Sequence, residues 1–121
     1  MAHLQNYLQT GDYMNDLEGL IHQKTHESFK AKAETDVLKN LIETTKAECD
    51  TIAAKIKTVE HSIDPEEKEE YANLSKDIVE KWTRYKYYQD RKAAVDQRMV
   101  KICNELSELL FHKMHMEVVH L

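Results

Sequence analysis

Residues 62–67 have the sequence SIDPEE and contain the only proline of the chain, which has just two glycines in 121 residues. Proline is tolerated at the first position of a helix, the aspartate before it can cap that helix, and the two glutamates suit its positive N-terminal end. We therefore predict that one helix ends near residue 62 and another begins near residue 65. Because the break has no glycine and almost no loop, the sequence favours a kink in a continuing rod over a hairpin.

Upstream of this break, hydrophobic residues recur in steps of three and four from Met14 to Ile63. Of these 15 positions 11 are apolar, and the exceptions are Lys24, Ser28, Thr35 and Thr45. A strict 3.5-residue spacing over seven heptads is typical of a coiled coil. A helix of this kind is not stable alone, because its apolar face must be covered by another helix.

A second stripe in the same spacing runs from Tyr71 to Leu109, with Lys81 and Lys92 as the only polar members. Lysines facing identical lysines would repel, so we expect a different chain, one that offers carboxylates, on the other side of the seam. The residues that we assign to this dimerisation seam are Leu38, Ile42, Ile52, Ile56, Val59, Leu74, Ile78, Tyr85, Val95, Met99 and Ile102.

The stripes divide the chain into four predicted segments. An N-terminal segment covers residues 1–12, a coiled-coil helix 13–62, a second coiled-coil helix 63–106, and a capping tail 107–121. Because the tail is apolar on several sides, we expect it to fold back as a short helix. Trp82 lies one position off the register and broadens the apolar face where a third element could dock.

The composition excludes several classes of protein. Two glycines cannot form the glycine-rich turns of nucleotide-binding folds, and frequent turn residues of β-sandwiches are missing. No apolar run is long enough to cross a membrane, and no secretory leader is recognisable. The acidic residues lie on predicted solvated helix faces, so we predict neither an enzyme nor a cofactor.

Cysteines and histidines give no strong sign of a reactive or metal site. Cys49 and Cys103 are far apart, and we predict that both are reduced thiols in the seam or on its flanks. The pairs His22/His26 and His112/His115 have spacings that fit one metal ion, but neither has a third ligand at a suitable spacing. We therefore predict no metal site.

One segment has an unusual charge balance. The chain has a net charge of -5, but residues 76–101 contain eight basic and four acidic residues. Trp82, Tyr85, Tyr87 and Tyr88 are interleaved with the bases. Basic and aromatic side chains together are used by surfaces that bind single-stranded nucleic acid. A seam with ordinary solvated lysines around it explains the same pattern, so both interpretations remain open.

The sequence DPEEKE at residues 64–69, followed by EKWTRYK at 80–86, resembles the coiled-coil half of the homologous-pairing proteins of the TBP-interacting-protein family. That family carries a Pro-Glu-Glu-Lys-Glu segment, then a tryptophan at the same separation as Pro65 to Trp82, then a run of bases. The resemblance covers about residues 40–90. Residues 1–37 are too short and too poor in turns for the winged-helix domain of that family.

The resemblance implies an all-α fold: a long, kinked, parallel coiled coil of two long helices, closed by a short C-terminal fold-back helix. It implies a heterodimer with a meiotic-nuclear-division-type protein in the nucleus, which helps a RecA-like recombinase filament pair DNA strands. Trp82 is then expected to anchor the tail. Expected contacts with DNA or filament are Lys81, Arg84, Lys86, Arg91 and Lys92; of these, Arg84 and Lys86 fall on basic positions of the family motif.

Two other hypotheses fit the sequence. One is a structural coiled-coil subunit of a cytoskeletal, ciliary or kinetochore complex that binds no nucleic acid. The other is a self-contained antiparallel helical hairpin that acts as a binding module.

Overall fold

The computed structural model describes residues 13–119, which form two helices, α1 (Tyr13–Val59) and α2 (Pro65–Val119), and contain no strand. The prediction of an all-α protein is therefore confirmed. Both helices are long because the chain is rich in strong helix formers and because its only proline stands at the first position of α2. The predicted N-terminal segment, residues 1–12, lies outside the described residues.

Residues 60–64 connect the helices, and hydrogen bonds within this turn replace the missing helical ones. The backbone N–H of Ser62 donates to the carbonyl of Val59, at 3.2 Å. Asp64 caps α2: its Oδ1 accepts from the N–H of Glu66 at 3.1 Å, and its carbonyl accepts from the N–H of Lys68 at 2.9 Å. The capping role predicted for Asp64 is therefore present.

The two helices pack against each other, and the described residues divide into two compact units. In the unit of residues 34–94, Glu48 pairs with Lys81 and Glu34 with Arg91, so α1 and α2 run in opposite directions. A kinked, continuing rod is therefore not seen. The turn contains no glycine, and the Ser62 hydroxyl and the Asp64 carboxylate accept hydrogen bonds from its backbone N–H groups.

The second unit contains residues 13–33 and 95–119 of the described chain, and its helix segments are also antiparallel. Lys24 Nζ lies 2.5 Å from Glu105 Oε2, and Lys113 Nζ lies 3.9 Å from Glu18 Oε1. Lys24, the later of the two α1 residues, therefore pairs with the earlier of the two α2 residues, as in antiparallel helices. Leu17, Ala31, Val95 and Ile102 are the buried residues of this unit.

The predicted seam positions are the ones that the helices bury. From Met14 to Val59 every position of the first stripe is buried or half-buried, and so is every position of the second stripe from Leu74 to Leu109. The exceptions are Ile63 and Tyr71, on either side of Pro65, with 89% and 41% of their surface exposed. The chain therefore covers with its own helices the stripe that the sequence assigned to a partner chain.

No separate C-terminal helix is seen, because α2 continues without a break from Pro65 through Val119. No proline or glycine follows Pro65 in the sequence, so nothing in the described residues stops the helix before its end. The fold-back of residues 107–119 was therefore a wrong expectation. The anchoring role expected for Trp82 has no counterpart in this helix.

Two valines of α2 provide a matched test of the seam. Val95 is 1% exposed and Val79 is 64% exposed. We expect Val95→Ala to lower the free energy of unfolding by about 2 kcal/mol, because it removes buried methyl groups and leaves a cavity. Val79→Ala should change it by less than about 0.5 kcal/mol. Urea unfolding followed by circular dichroism measures both; equal effects would contradict the assigned seam.

The cap of α2 can be tested at one atom. Asp64→Ala removes the side-chain acceptor of the Glu66 N–H and should lower the free energy of unfolding by about 1 kcal/mol. Asp64→Asn keeps an acceptor at this position and should be nearly neutral. Thermal unfolding of both variants checks this, and a similar loss in Asp64→Asn would show that charge, not the cap, stabilises the helix.

Candidate interaction surfaces

The seam lysines Lys24 and Lys81 are paired with carboxylates of the opposite helix. Lys24 contacts Glu105 across the seam and Glu27, 3.3 Å away, on its own helix. Lys81 Nζ lies 2.8 Å from Glu48 Oε2. The third, Lys92, is half-buried in the seam. The carboxylates that we expected from another chain are thus supplied, for Lys24 and Lys81, by this chain itself.

These pairs shift the pKa values of their members in the directions expected for opposite charges. The hydrogen bond to Glu105 raises the pKa of Lys24, and partial burial opposes it. The hydrogen bond to Glu48 raises the pKa of Lys81. The hydrogen bond from Lys24 lowers the pKa of Glu105. These three shifts favour the charged forms of Lys24, Lys81 and Glu105, as an ion pair requires.

The five residues expected to contact DNA or a filament do not form one basic surface. Lys81 and Lys92 lie in the seam. Arg91 is held by Glu34, with its Nε and Nη2 at 3.1 and 2.8 Å from the same carboxylate oxygen, and Arg84 Nη2 lies 2.7 Å from Glu80 Oε1. Of the five, Lys86 is the one that is exposed and also makes no hydrogen bond or ion pair within residues 13–119. Three of the five bases, Lys81, Arg84 and Arg91, are thus matched by acidic residues of the same chain.

Lys86 belongs to an exposed aromatic surface on the outer side of α2. Val79, Trp82 and Tyr87 expose large parts of their side chains there, and Lys86, Thr83 and Asp90 complete a shallow depression. Trp82 is held by an edge-to-face contact with Tyr85, with ring centroids 5.1 Å apart. This surface combines apolar groups with one base, Lys86, and one acid, Asp90, and faces solvent.

The cysteines differ in their surroundings. Cys49 is fully buried in the seam, where burial raises the pKa of its thiol, so it remains protonated and unsuited to nucleophilic chemistry. Cys103 is exposed, which places it outside the buried seam.

Within residues 13–119 no three His, Cys, Asp or Glu side chains are grouped as metal ligands, and no helix there is long and apolar enough to cross a membrane.

The carboxylates that pair with the seam lysines were missed by sequence reasoning, which weighed only the stripe itself. Glu105 and Glu48, which pair with Lys24 and Lys81, each stand one residue before a position of the stripe, and so does Glu34, which pairs with Arg91. In a heptad such flanking positions commonly carry charges that pair across the seam. Opposite charges beside both stripes therefore indicated that ion pairs form across the seam. They did not indicate which residues pair.

No protein-family model, no curated protein and no solved structure matches this chain.

The pair of Lys24 and Glu105 predicts a specific dependence of stability on pH. Because the folded pKa of Glu105 is depressed below the unfolded value of 4.5, its stabilising effect is present above that pH and is lost as pH falls through the folded value. We expect Glu105→Gln to lower the urea midpoint at pH 7, and the difference from wild type to shrink on acidification. Exposed Glu108→Gln serves as the control, and a similar pH-dependent difference in that variant would contradict the assignment.

Proposed function

We propose that this chain is a non-catalytic helical binding module, which closes its seam with its own two helices and uses their outer faces to bind another macromolecule. The observation that carries the proposal is that the seam lysines find their counter-charges within the chain, at Glu105 for Lys24 and at Glu48 for Lys81. A chain that satisfies its own buried charges does not need a partner to complete its seam.

The outer faces supply the second support. Large apolar side chains remain exposed on α2 in both units, including Trp82 and Tyr87 in one and Phe111 and Met114 in the other. Scattered exposed apolar residues are ordinary, but groups of them on one helix face are typical of protein interaction sites. The buried thiol of Cys49 and the paired charges of the seam offer no activated nucleophile, which favours binding over catalysis.

A charge-swap experiment tests whether the seam closes within one chain. Glu48→Lys and Lys81→Glu each place like charges against each other, so each should lower the melting temperature by about 3 °C. Combining both substitutions in one chain restores opposite charges and should recover most of the loss. Mixing the two single variants as separate chains should recover nothing.

The matched control is the exposed ion pair of Glu80 and Arg84, which lies within one helix. Swapping these two residues, singly or together, should change the melting temperature by less than the seam swap does. Recovery in the mixture of single variants, in addition to the double variant, would mean that the seam forms between chains. That result would overturn the proposed function.

A second candidate is the accessory role in meiotic homologous recombination, with a parallel heterodimeric coiled coil, a nuclear location and contacts to a recombinase filament and DNA. Its support is the sequence resemblance around Pro65 and Trp82, together with the exposed surface where Lys86 lies beside Trp82 and Tyr87. Stacking aromatics next to an uncommitted lysine suit a single strand of nucleic acid. The paired states of Arg84 and Arg91 leave Lys86 as the main basic contact.

Binding of labelled single-stranded DNA, followed by fluorescence anisotropy at several salt concentrations, tests this candidate. We expect binding that weakens with salt, and a several-fold further loss in Lys86→Glu. Lys55→Glu makes the same change in net charge at an exposed position of α1 and should leave binding unchanged. Absence of salt-dependent binding, or an equal loss in both variants, would leave the binding-module proposal without a nucleic-acid partner.

A further inference from the structure

The end of α2 exposes an apolar surface that the seam does not use. We name it the terminal surface; its members are Leu110, Phe111, Met114 and Val118. Each of them leaves between 43% and 69% of its surface in solvent. Their spacing places all four within about 100° of the helix circumference, so they form one group rather than scattered side chains. A group of this kind marks a site where another element binds.

The beginning of α1 lies next to this surface. Lys113 Nζ is 3.9 Å from Glu18 Oε1, so the first turns of α1 run beside the last turns of α2. Leu110 directly follows the stripe position Leu109, which places the terminal surface at the edge of the seam. Because α1 begins at Tyr13, the chain that precedes it emerges close to the terminal surface.

The sequence that precedes α1 is suited to cover such a surface. Residues 1–12 have the sequence MAHLQNYLQTGD, and no Lys, Arg, Asp or Glu occurs before Asp12, although these residues make up 32% of the chain. Leu4, Tyr7 and Leu8 are spaced so that one side of a helical turn would carry all three. An uncharged segment can cover an uncharged apolar surface without burying a charge that has no partner.

The end of this segment allows it to turn back towards α2. Glycine adopts the backbone conformations of tight turns, and aspartate can cap the helix that follows, so Gly11 and Asp12 suit a reversal of the chain before α1. Ten residues in a helix span about 15 Å, and the terminal surface covers about 12 Å of α2. After the reversal, Leu8 would lie towards Val118 and Leu4 towards Leu110.

We infer that residues 1–10 bind the terminal surface of their own chain, with Leu4 and Leu8 in the contact. The inference goes beyond the proposed function and does not depend on it, because it requires only that α1 begins beside the end of α2. It also distinguishes the two exposed apolar groups of α2. The terminal surface is covered from within the chain, and the group around Trp82 and Tyr87 stays open to a partner.

The rate at which a thiol at position 114 is modified measures whether the terminal surface is covered. Met114→Cys is made together with Cys103→Ser, which removes the exposed native thiol, while the buried Cys49 reacts slowly. We expect a thiol reagent to modify this variant several-fold more slowly than the same variant with Leu4→Asp and Leu8→Asp. The two added carboxylates cannot be buried in an apolar contact, so they should release the segment.

Val79 provides the matched position, because it is 64% exposed, against 65% for Met114, and lies in the other compact unit. Val79→Cys in the same background should react at one rate with and without the two substitutions in the segment. Gln5→Asp with Gln9→Asp adds the same charge away from the apolar side of the segment. This pair should leave the modification of Met114→Cys slow.

Three results would overturn the inference. The first is modification of Met114→Cys that is equally fast with Leu4 and Leu8 in place, and the second is slow modification that their replacement leaves unchanged. The third is protection that increases with protein concentration, which would show that a second copy covers the surface. None of these results affects the proposed function, which the charge swap within and between chains tests separately.

Cross-linking tests the contact without disrupting it. Leu8→Cys combined with Met114→Cys and Cys103→Ser should form a disulfide within one chain on mild oxidation. The product should keep the mass of a monomer and migrate faster than the reduced chain on a denaturing gel. Gln5→Cys in place of Leu8→Cys should not form this disulfide. Equal cross-linking from both positions, or none from Leu8→Cys, would also overturn the inference.

Discussion

The packing of one apolar stripe against another is the contact on which the rest of this structure depends. A long helix with a single apolar face gains too little on its own to remain folded in water. Here each helix provides the cover that the other needs, and residues such as Leu17, Cys49 and Val95 are buried as a result. Because the seam is thin, charged side chains at its edges are close enough to form ion pairs across it. These pairs favour one relative direction of the two helices.

The seam pairs also explain why the positively charged segment of α2 is not one basic surface. Lys81 and Arg91 are used to hold α1, through Glu48 and Glu34. Charges engaged in the fold are less free to attract a ligand, and these two pairs use part of the positive excess that the composition of the segment indicates. The outer side of α2 also exposes the large apolar side chains of Val79, Trp82 and Tyr87, which remain available for recognition.

Sequence periodicity predicted the buried residues well, because a 3.5-residue repeat identifies one face of a helix whatever lies against it. The stripe positions from Met14 to Val59 and from Leu74 to Leu109 are all buried or half-buried. The candidate contact residues do not share one surface, although their sequence spacing is short. Lys86 and Arg84 are two residues apart in the sequence and point to different surroundings, and the carboxylate that holds Arg91 comes from 57 residues away. Only a folded chain brings such distant residues together.

The amino-acid sequence by itself determined that this chain is helical, where its second helix begins, and which face of each helix is buried. These properties depend on local geometry: the fixed backbone angle of Pro65, the cap at Asp64 and the spacing of apolar side chains. The tertiary structure decided that the helices cover each other in opposite directions and which charges pair across the seam. An apolar stripe can be covered either by the other helix of the same chain, across a short turn, or by a helix of another chain. The spacing of the apolar residues is the same in both cases, so the sequence pattern does not select between them.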